Sequence, residues 1–178
     1  MKYEYKLFLR VLFIFLFNAK IMYYLFFIPT IIFPYLILKI IGFNIMLDFS
    51  NSNLYLDNII LNFISACVAS TAYHLLLILI LLTKDLNIKK IVSMFLLGSL
   101  MILAINIIRV VVLSYTFINY GYEAFNSLHL LLWRGAASVI VFLIWIILIK
   151  IYKPKAIPVI SDLIYLYNLV KKKKRARK

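Results

Sequence analysis

The sequence predicts an all-α integral membrane protein, a small bundle of transmembrane helices, and both its composition and its charge pattern support this fold class. Of the 178 residues, 66% are hydrophobic and only 15% are charged. A soluble globular domain is usually about half apolar, because a chain of this size cannot bury a larger apolar fraction away from water. Lipid is therefore the expected solvent for most of the chain, and the composition excludes a water-soluble enzyme.

Three long runs with almost no formal charge mark the predicted crossings. A helix that crosses a bilayer needs about 20 predominantly apolar residues. The run 58–83 contains no formally charged residue, 91–122 contains only Arg109, and 124–149 contains only Arg134. Each run is long enough for one crossing.

The N-terminal apolar stretch, residues 7–41, holds one helix or two. It is longer than one untilted crossing requires. Polar residues and prolines interrupt it at Asn18, Lys20, Pro29, Pro34 and Lys39. A single crossing near 21–41 is favoured, with 7–17 extending it or lying at the interface, and this gives about four transmembrane helices. A separate crossing by 7–17 would give five.

Loops rich in Lys and Arg set the predicted orientation, because such loops stay in the cytoplasm. The loop 83–90 carries three lysines, the segment after the last run carries three more, and seven of the last eight residues are Lys or Arg. The segments 42–57 and 114–126 have no Lys or Arg and are expected outside. Their acidic residues are Asp48, Asp57 and Glu123. The prediction is a multi-pass protein of the plasma membrane with both termini in the cytoplasm.

The chain divides into three predicted parts. Residues 1–42 form an N-terminal membrane segment, 43–150 the core, and 151–178 a cytoplasmic segment with a short interfacial helix over 159–170 and a polybasic tail. No cleavable signal peptide is expected, because the first apolar stretch lacks a small-residue cleavage site. The tail is expected to lie beside anionic lipid. Nucleic acid is not an expected partner, since no folded basic domain accompanies the tail.

Six polar residues inside the predicted helices are the candidates for function, because an ionisable side chain in a bilayer is costly and usually serves a task there. The second predicted helix holds Cys67 and His74, the third Asn106 and Arg109, and the fourth His129 and Arg134. The chain has a single cysteine, which excludes an intrachain disulfide, a CxxC redox pair and a thiolate zinc cluster. No metal or cofactor is expected.

Three of these residues are predicted to lie at a similar depth near the outer face. The second helix is expected to begin near residue 59, which places Cys67 about 12 Å below the outer surface. The third begins near residue 91, which places Arg109 about 27 Å above the inner surface. The fourth begins near residue 126, so His129 falls in its first turn. A thiol, a guanidinium and an imidazole from three helices therefore converge on the outer side.

This trio has the chemistry of acyl transfer. A thiolate is a strong nucleophile, and an imidazole acts as base toward the thiol and then as acid toward a leaving amine. A permanent cation such as Arg109 stabilises the thiolate or the oxyanion that develops on an attacked carbonyl. Each residue also has a structural interpretation. Cys67 is then a small packing residue, Arg109 snorkels to the outer headgroups, and His129 is a solvated interfacial residue.

The other polar residues have supporting interpretations. His74 lies on the same helix face as Cys67 but about 10 Å deeper, which favours hydrogen bonding within the bundle over service as the base. Arg134, about 8 Å below His129, is either a second cation for the site or a packing residue. Glu123 is expected outside, where it orients His129 or holds an acceptor amine.

The order of the motifs resembles the exosortase/archaeosortase family of integral-membrane sorting enzymes. Cys67 lies in ISACVAST, Asn106 and Arg109 lie in AINIIRVVVLSY, and His129 lies in FNSLHLLLWRGAASVIVF. The resemblance covers residues 54–142 and depends on the order, spacing and shared depth of these motifs.

Two features depart from the family. Its cysteine is commonly followed by Ser-Gly, whereas Val68 and Ala69 follow here. The chain is also close to a minimal core for the family.

The resemblance implies a cysteine protease or transpeptidase. Cys67 would be the nucleophile, His129 the acid and base, and Arg109 the stabiliser of the thiolate or oxyanion. The implied partners are exported proteins whose C-termini carry a short motif, a membrane helix and a basic cluster. The new C-terminus would pass to water, or to an amine or membrane lipid. The alternative is a non-catalytic polytopic protein, such as a transporter subunit or a bundle that binds lipid or docks a partner.

Overall fold

The computed structural model describes residues 12–56, 59–83, 86–132 and 136–154, and these residues are mostly helical. The elements in chain order are α1 (Ala19–Ile41), β1 (Ile45–Asp48), β2 (Asn53–Leu56), β3 (Ile59–Asn62), α2 (Ser65–Val68), α3 (Ser70–Leu82), α4 (Ile88–Leu131) and α5 (Ala137–Tyr152). The predictions for Asp57, Arg134, the helix 159–170 and the basic tail concern residues outside the described ranges.

Helix α1 is one long helix with a cap at each end. The side chain of Asn18 accepts hydrogen bonds from the backbone N–H groups of Lys20, at 3.0 Å, and Ile21, at 3.2 Å. Such a cap satisfies N–H groups that have no partner inside the first turn. The helix ends at Gly42, which has a left-handed backbone with φ 102°. A short helical turn over 12–16 precedes α1.

Two helices, α1 and α4, are long and apolar enough to cross a membrane, judged by length and composition. Helices α3 and α5 are also apolar but have 13 and 16 residues, fewer than the roughly 20 that an untilted crossing needs. The prediction of a mostly helical chain with apolar helices of membrane length is confirmed.

The segment between α1 and α2 is a three-stranded antiparallel sheet, so the purely helical prediction is wrong there. The strand order is β1-β2-β3, with Ile45 opposite Leu56 and Leu54 opposite Leu61. Leu54 and Leu56 are buried, whereas Tyr55 between them is partly exposed. This period of two is typical of a strand with one face on the core. The sequence contains this alternation, but the long apolar run that begins at residue 58 predicts a helix there, which hides the short strands.

The sheet also changes the position of Cys67. The second helix does not begin near residue 59, because β3 occupies that stretch, and helical backbone begins at Ser65. Cys67 is therefore the third residue of the four-residue helix α2, not a residue eight positions inside a long helix.

Helix α4 reverses direction at Gly121. This residue has φ 77° and ψ −177°, a combination that is almost confined to glycine. Arg109 and Leu132 line the same cavity although each lies about a dozen residues from Gly121, on opposite sides of it. The ascending arm, residues 88–120, and the returning arm, residues 122–131, are therefore antiparallel. The predicted break between the third and fourth helices is confirmed, but it is a single-residue reversal.

Side chains of α3 and α5 both contact α4 at Gly98. A Cβ atom at this position would lie 2.7 Å from Cδ2 of Leu76 and 2.8 Å from Cδ1 of Leu148. A buried apolar cluster surrounds this contact, and we call it the packed end; it includes Leu76, Ile80, Met94, Trp145 and Leu148. A second buried cluster, the sheet end, joins α1, the sheet and α4; it includes Ile31, Leu38, Leu54, Leu56 and Val110.

Candidate functional site

The site is built around a break between α2 and α3. Ala69 separates the two helices and has a left-handed backbone, with φ 58° and ψ 35°. This conformation is unfavourable by about 1 kcal/mol or more for a residue with a Cβ. Because the helix stops here, carbonyl groups before the break lose the N–H partners that a continuous helix would supply.

Two side chains of α4 supply the missing donors. Arg109 donates from Nη2 to the carbonyl oxygens of Ala66, at 2.9 Å, and Cys67, at 3.0 Å. Asn106 donates from Nδ2 to the same carbonyl of Cys67, at 2.9 Å. The Asn-x-x-Arg spacing puts both side chains on one helix face, one turn apart. The two residues therefore hold the backbone of α2 and fix the position of Cys67.

The Cys67 thiol points toward the sheet end. Its Sγ donates a weak hydrogen bond to the carbonyl oxygen of Asn62, at 3.6 Å, and the side chain packs against the cluster that contains Phe63 and Val110. The residue is partly exposed. The last residue of β3 thus lies directly beside the candidate nucleophile.

Arg109 is the electrostatic centre of the site. Its guanidinium charge acts on the Cys67 thiol, on the Tyr73 hydroxyl and on the His129 imidazole. These groups come from α2, from α3 and from the returning arm of α4. Two of the predicted residues, Cys67 and His129, therefore lie within electrostatic range of the third, Arg109.

His129 is not in the first turn of a helix, as the sequence suggested. The returning arm begins immediately after Gly121, so His129 lies farther along it, only three residues before the cavity residue Leu132. Its ring stacks on Phe125, with centroids 5.5 Å apart and planes 12° apart. The reversal at Gly121 brings the imidazole back toward the level of Arg109.

The remaining candidates lie elsewhere or face solvent. Nε2 of His74 is 3.2 Å from the carbonyl oxygen of Ile14, so this ring is directed toward the turn that precedes α1. This contact agrees with the bundle hydrogen-bonding role. Glu123 is exposed, two residues after the reversal at Gly121.

Two residues of the site were missed in the sequence. Asn62 contributes its backbone carbonyl, which no side-chain motif could reveal. Tyr73 is fully buried, stacks on Phe26 with centroids 3.8 Å apart, and has no hydrogen-bond partner for its hydroxyl among the described residues. Its position six residues after Cys67 was the available signal. Within the described ranges, no three His, Cys, Asp or Glu side chains cluster as metal ligands.

Comparison with protein-family models, with curated proteins and with solved structures gives no significant match to this chain. Support for a function therefore comes from the contacts of the site residues.

Proposed function

We propose that this chain is a membrane-embedded cysteine peptidase or transpeptidase of the exosortase/archaeosortase type. The observation that carries the proposal is the position of Arg109, which hydrogen-bonds the backbone of Cys67 while its charge reaches both that thiol and His129. The charge of Arg109 is thus shared by the proposed nucleophile on α2 and the proposed base on the returning arm of α4, an arrangement that supports acyl transfer.

The proposed membrane topology has four crossings. They are α1, α3 with the preceding α2, the ascending arm of α4, and the returning arm continued by α5. Antiparallel packing of α4 and α5 supports the last two, since Lys90, near the start of α4, donates to the carbonyl of Tyr152 at the end of α5. Many apolar side chains on the outer faces of these helices are exposed, as expected for contact with lipid. The sheet then lies at the outer face.

In the proposed reaction, His129 takes the proton from the Cys67 thiol as sulfur attacks the carbonyl carbon of a peptide bond. The carbon–nitrogen bond then breaks, and the imidazolium gives its proton to the leaving amine. A thioester remains on Cys67. Water or an amine acceptor attacks this thioester and loses a proton to His129, and the departing sulfur recovers that proton.

Arg109 serves in this proposal chiefly as a positioning residue. Its Nη2 atom is already engaged by the carbonyls of Ala66 and Cys67, so it holds the nucleophile in place. Its charge favours the thiolate over the thiol and stabilises negative charge on the attacked carbonyl.

Position 69 adds support from the family pattern. The resembling enzymes commonly have glycine two residues after the cysteine, and this chain has Ala69 there. Because this residue has a positive φ, glycine is the residue that would fit the position without strain. This chain therefore departs from the family pattern at Ala69 in residue type, but its positive φ is the conformation that the glycine of the family pattern adopts most easily.

The open edge of the sheet offers a route for an extended substrate. β3 is an edge strand, paired with β2 on one side, and its last residue is Asn62, whose carbonyl meets the thiol. An extended peptide that added to this edge would gain backbone hydrogen bonds and pass beside Cys67.

The test uses the full chain in membranes together with exported proteins of the same cells whose C-termini carry a short motif, an apolar helix and a basic cluster. We expect Cys67→Ala and Cys67→Ser to abolish the mass change of such a substrate while leaving the chain inserted. Ser65→Ala, two residues away on the same short helix, should process normally. In the same assay, His129→Gln should remove the ionisation of the base from the pH–rate profile, whereas His74→Gln should keep it. Unchanged processing by Cys67→Ala would refute the proposal.

A second candidate is a non-catalytic bundle, and one observation favours it. The hydrogen bonds of Asn106 and Arg109 explain both residues as caps for a helix break, since an unsatisfied carbonyl inside a membrane is costly. In that case Cys67→Ala would be silent in every assay, and Arg109 would matter for folding alone.

A further inference from the structure

The register of the sheet identifies which backbone groups of β3 point away from β2. The N–H of Phe63 donates to the carbonyl oxygen of Ser52, the residue before β2, at 2.9 Å. Backbone groups along an antiparallel strand point alternately to its two sides. Leu61 therefore also faces β2, whereas Ile60 and Asn62 present their N–H and carbonyl groups at the free edge of the sheet.

Three of these four edge groups are open. The carbonyl of Asn62 accepts from the N–H of Ile64, at 3.2 Å, and from the Cys67 thiol, at 3.6 Å. Among the described residues, neither the N–H of Asn62 nor the N–H and carbonyl of Ile60 have a hydrogen-bond partner. Both residues are exposed, Ile60 by 60%. Open groups in strand geometry form a template for one more strand.

The outward face of the sheet has two rows of different chemistry that end at this edge. The apolar row consists of Met46, Tyr55 and Ile60, and the polar row of Asp48, Asn53 and Asn62. On the inner face, Leu61 packs against the buried cluster of the sheet end. A strand added beside β3 extends each row by one residue, because side chains of neighbouring strands in register lie on the same face.

We infer that β3 binds an extended peptide that carries an apolar side chain beside Ile60 and a polar side chain beside Asn62. The peptide residue between these two faces the core beside Leu61 and is also apolar. Only a peptide backbone repeats a donor and an acceptor at the spacing of a strand, so it alone matches all three open groups.

This inference rests on the proposed function for the identity of the peptide, which is then the segment of the exported protein around the cleaved bond. The Cys67 thiol lies at the Asn62 end of β3. The polar residue of the peptide is therefore expected next to the cleaved bond. Binding itself needs only the edge of the sheet and does not depend on the thiol.

The experiment measures amide hydrogen exchange in the full chain in phospholipid nanodiscs, as the native sequence and as Cys67→Ala. The probes acetyl-Gly-Ile-Val-Asn-Gly-amide and acetyl-Gly-Asn-Val-Ile-Gly-amide fit β3 as a parallel and as an antiparallel strand, respectively. We expect one of them to slow exchange at Ile60 and Asn62 saturably, to about a tenth of the rate without peptide. Leu61 should be protected already without peptide, because its N–H faces β2.

A peptide isomer tests the side-chain pattern. In acetyl-Gly-Ile-Asn-Val-Gly-amide, either Asn faces the core or Ile60 loses its apolar neighbour, whichever register the peptide adopts. Its binding should be about tenfold weaker than that of the matching probe. Equal binding would refute the predicted pattern.

Ile60→Pro is the decisive variant. Proline removes an N–H that points to the free edge, a position where sheets tolerate proline, so β2 and β3 should stay paired while the peptide no longer protects Asn62. Ile60→Val keeps the N–H and an apolar side chain and should bind the peptide like the native chain. If Ile60→Pro fails to fold, a probe N-methylated at Ile and Val replaces it, because this probe cannot donate to the Ile60 carbonyl and should not bind.

The outcomes separate this inference from the proposed function. No saturable protection by either matching probe, or unchanged binding by Ile60→Pro, would overturn the inference. Protection of Ile60 and Asn62 without peptide that disappears on dilution would assign the edge to β3 of a second copy and would also overturn it. Peptide binding without Cys67-dependent processing would refute the proposed function alone, whereas processing by Ile60→Pro at the native rate would refute this inference alone.

Discussion

Helices contact one another differently in two regions of the molecule. One is the packed end, and the other, which we call the site end, comprises α2, Ala69 and the α4 side chains Asn106 and Arg109. At the packed end, the aliphatic side chains of Leu76 on α3 and Leu148 on α5 meet α4 at Gly98. At the site end, α2 breaks away from α3, and side chains of α4 hold the broken end through hydrogen bonds to Ala66 and Cys67.

Buried polar atoms without hydrogen-bond partners among the described residues occur in both regions. Oδ1 of Asn106 and Nε of Arg109 lie at the site end, whereas Tyr73 belongs to the packed end and Ser99 is adjacent to Gly98 in the chain. Unsatisfied buried groups are unfavourable by roughly 1 to 3 kcal/mol each. Dense apolar packing around Gly98 offsets such costs, as expected when a rigid scaffold supports a functional site.

The largest predicted effect is at the packed end. Gly98→Leu should destabilise the fold by about 3 kcal/mol, because the added side chain overlaps Leu76 and Leu148. Reversible unfolding in mixed detergent micelles measures this effect. Ala104→Leu is the matched control on the exposed side of the same helix. Equal stability of the two variants would show that the helices do not approach at Gly98.

A smaller loss of stability but a larger local change is expected at the site end. Arg109→Met should destabilise the chain by about 2 kcal/mol, because the carbonyls of Ala66 and Cys67 each lose one of their donors. Hydrogen exchange should accelerate around Cys67 and Ala69 while the packed end stays protected. Arg109→Lys keeps the charge but not the planar guanidinium, so backbone amides at the site end should exchange at rates between those of the native chain and Arg109→Met. Uniform loosening of the whole bundle would contradict the separation between the two ends.

The smallest predicted effect is the pH-dependent contribution of Asp48 to the stability of the sheet. The Asn51 side-chain amide donates to the Asp48 carboxylate at 2.8 Å, and backbone N–H groups of the turn add to this, so the pKa of Asp48 lies below its usual range. A lowered pKa in the folded state means that the ionised carboxylate stabilises the turn at neutral pH, and that this contribution is lost as pH falls through the folded pKa.

Replacing Asp48 by asparagine tests this contribution. Backbone amides of β1 and β2 should exchange faster in Asp48→Asn than in the native chain at neutral pH, with the two converging in acid. Because the carboxylate is exposed, the difference should be small. If the exchange rates of the two proteins still differed below the pKa of Asp48, the effect would come from the geometry of the substituted side chain and not from the charge of the carboxylate.

The sequence predicted much of the helical content but little of the local backbone at the site. Charge-free runs located the apolar helices, since the cost of burying charge is a property of composition. The sequence did not predict the break at Ala69, because alanine is a strong helix former and the hydrogen bonds that accompany its left-handed conformation come from α4, which is distant in the chain.

The candidate residues were found for a related reason. Asn106 and Arg109 were conspicuous as polar residues in an apolar helix, and their i, i+3 spacing put them on one face. Their partners are backbone carbonyls, which every residue carries, so no pattern of side chains could identify them. The sheet was missed because four-residue strands beside long apolar runs leave too short a period to stand out.

The reversal at Gly121 determines how many crossings α4 makes in the proposed membrane topology. As one straight helix, the 44 residues of α4 would be roughly 66 Å long, about twice the thickness of a hydrocarbon core. In the topology that we propose, α4 crosses the membrane twice because its backbone reverses at Gly121. A straight α4 would cross once and would place the end of α5 on the opposite side of the membrane from the one proposed.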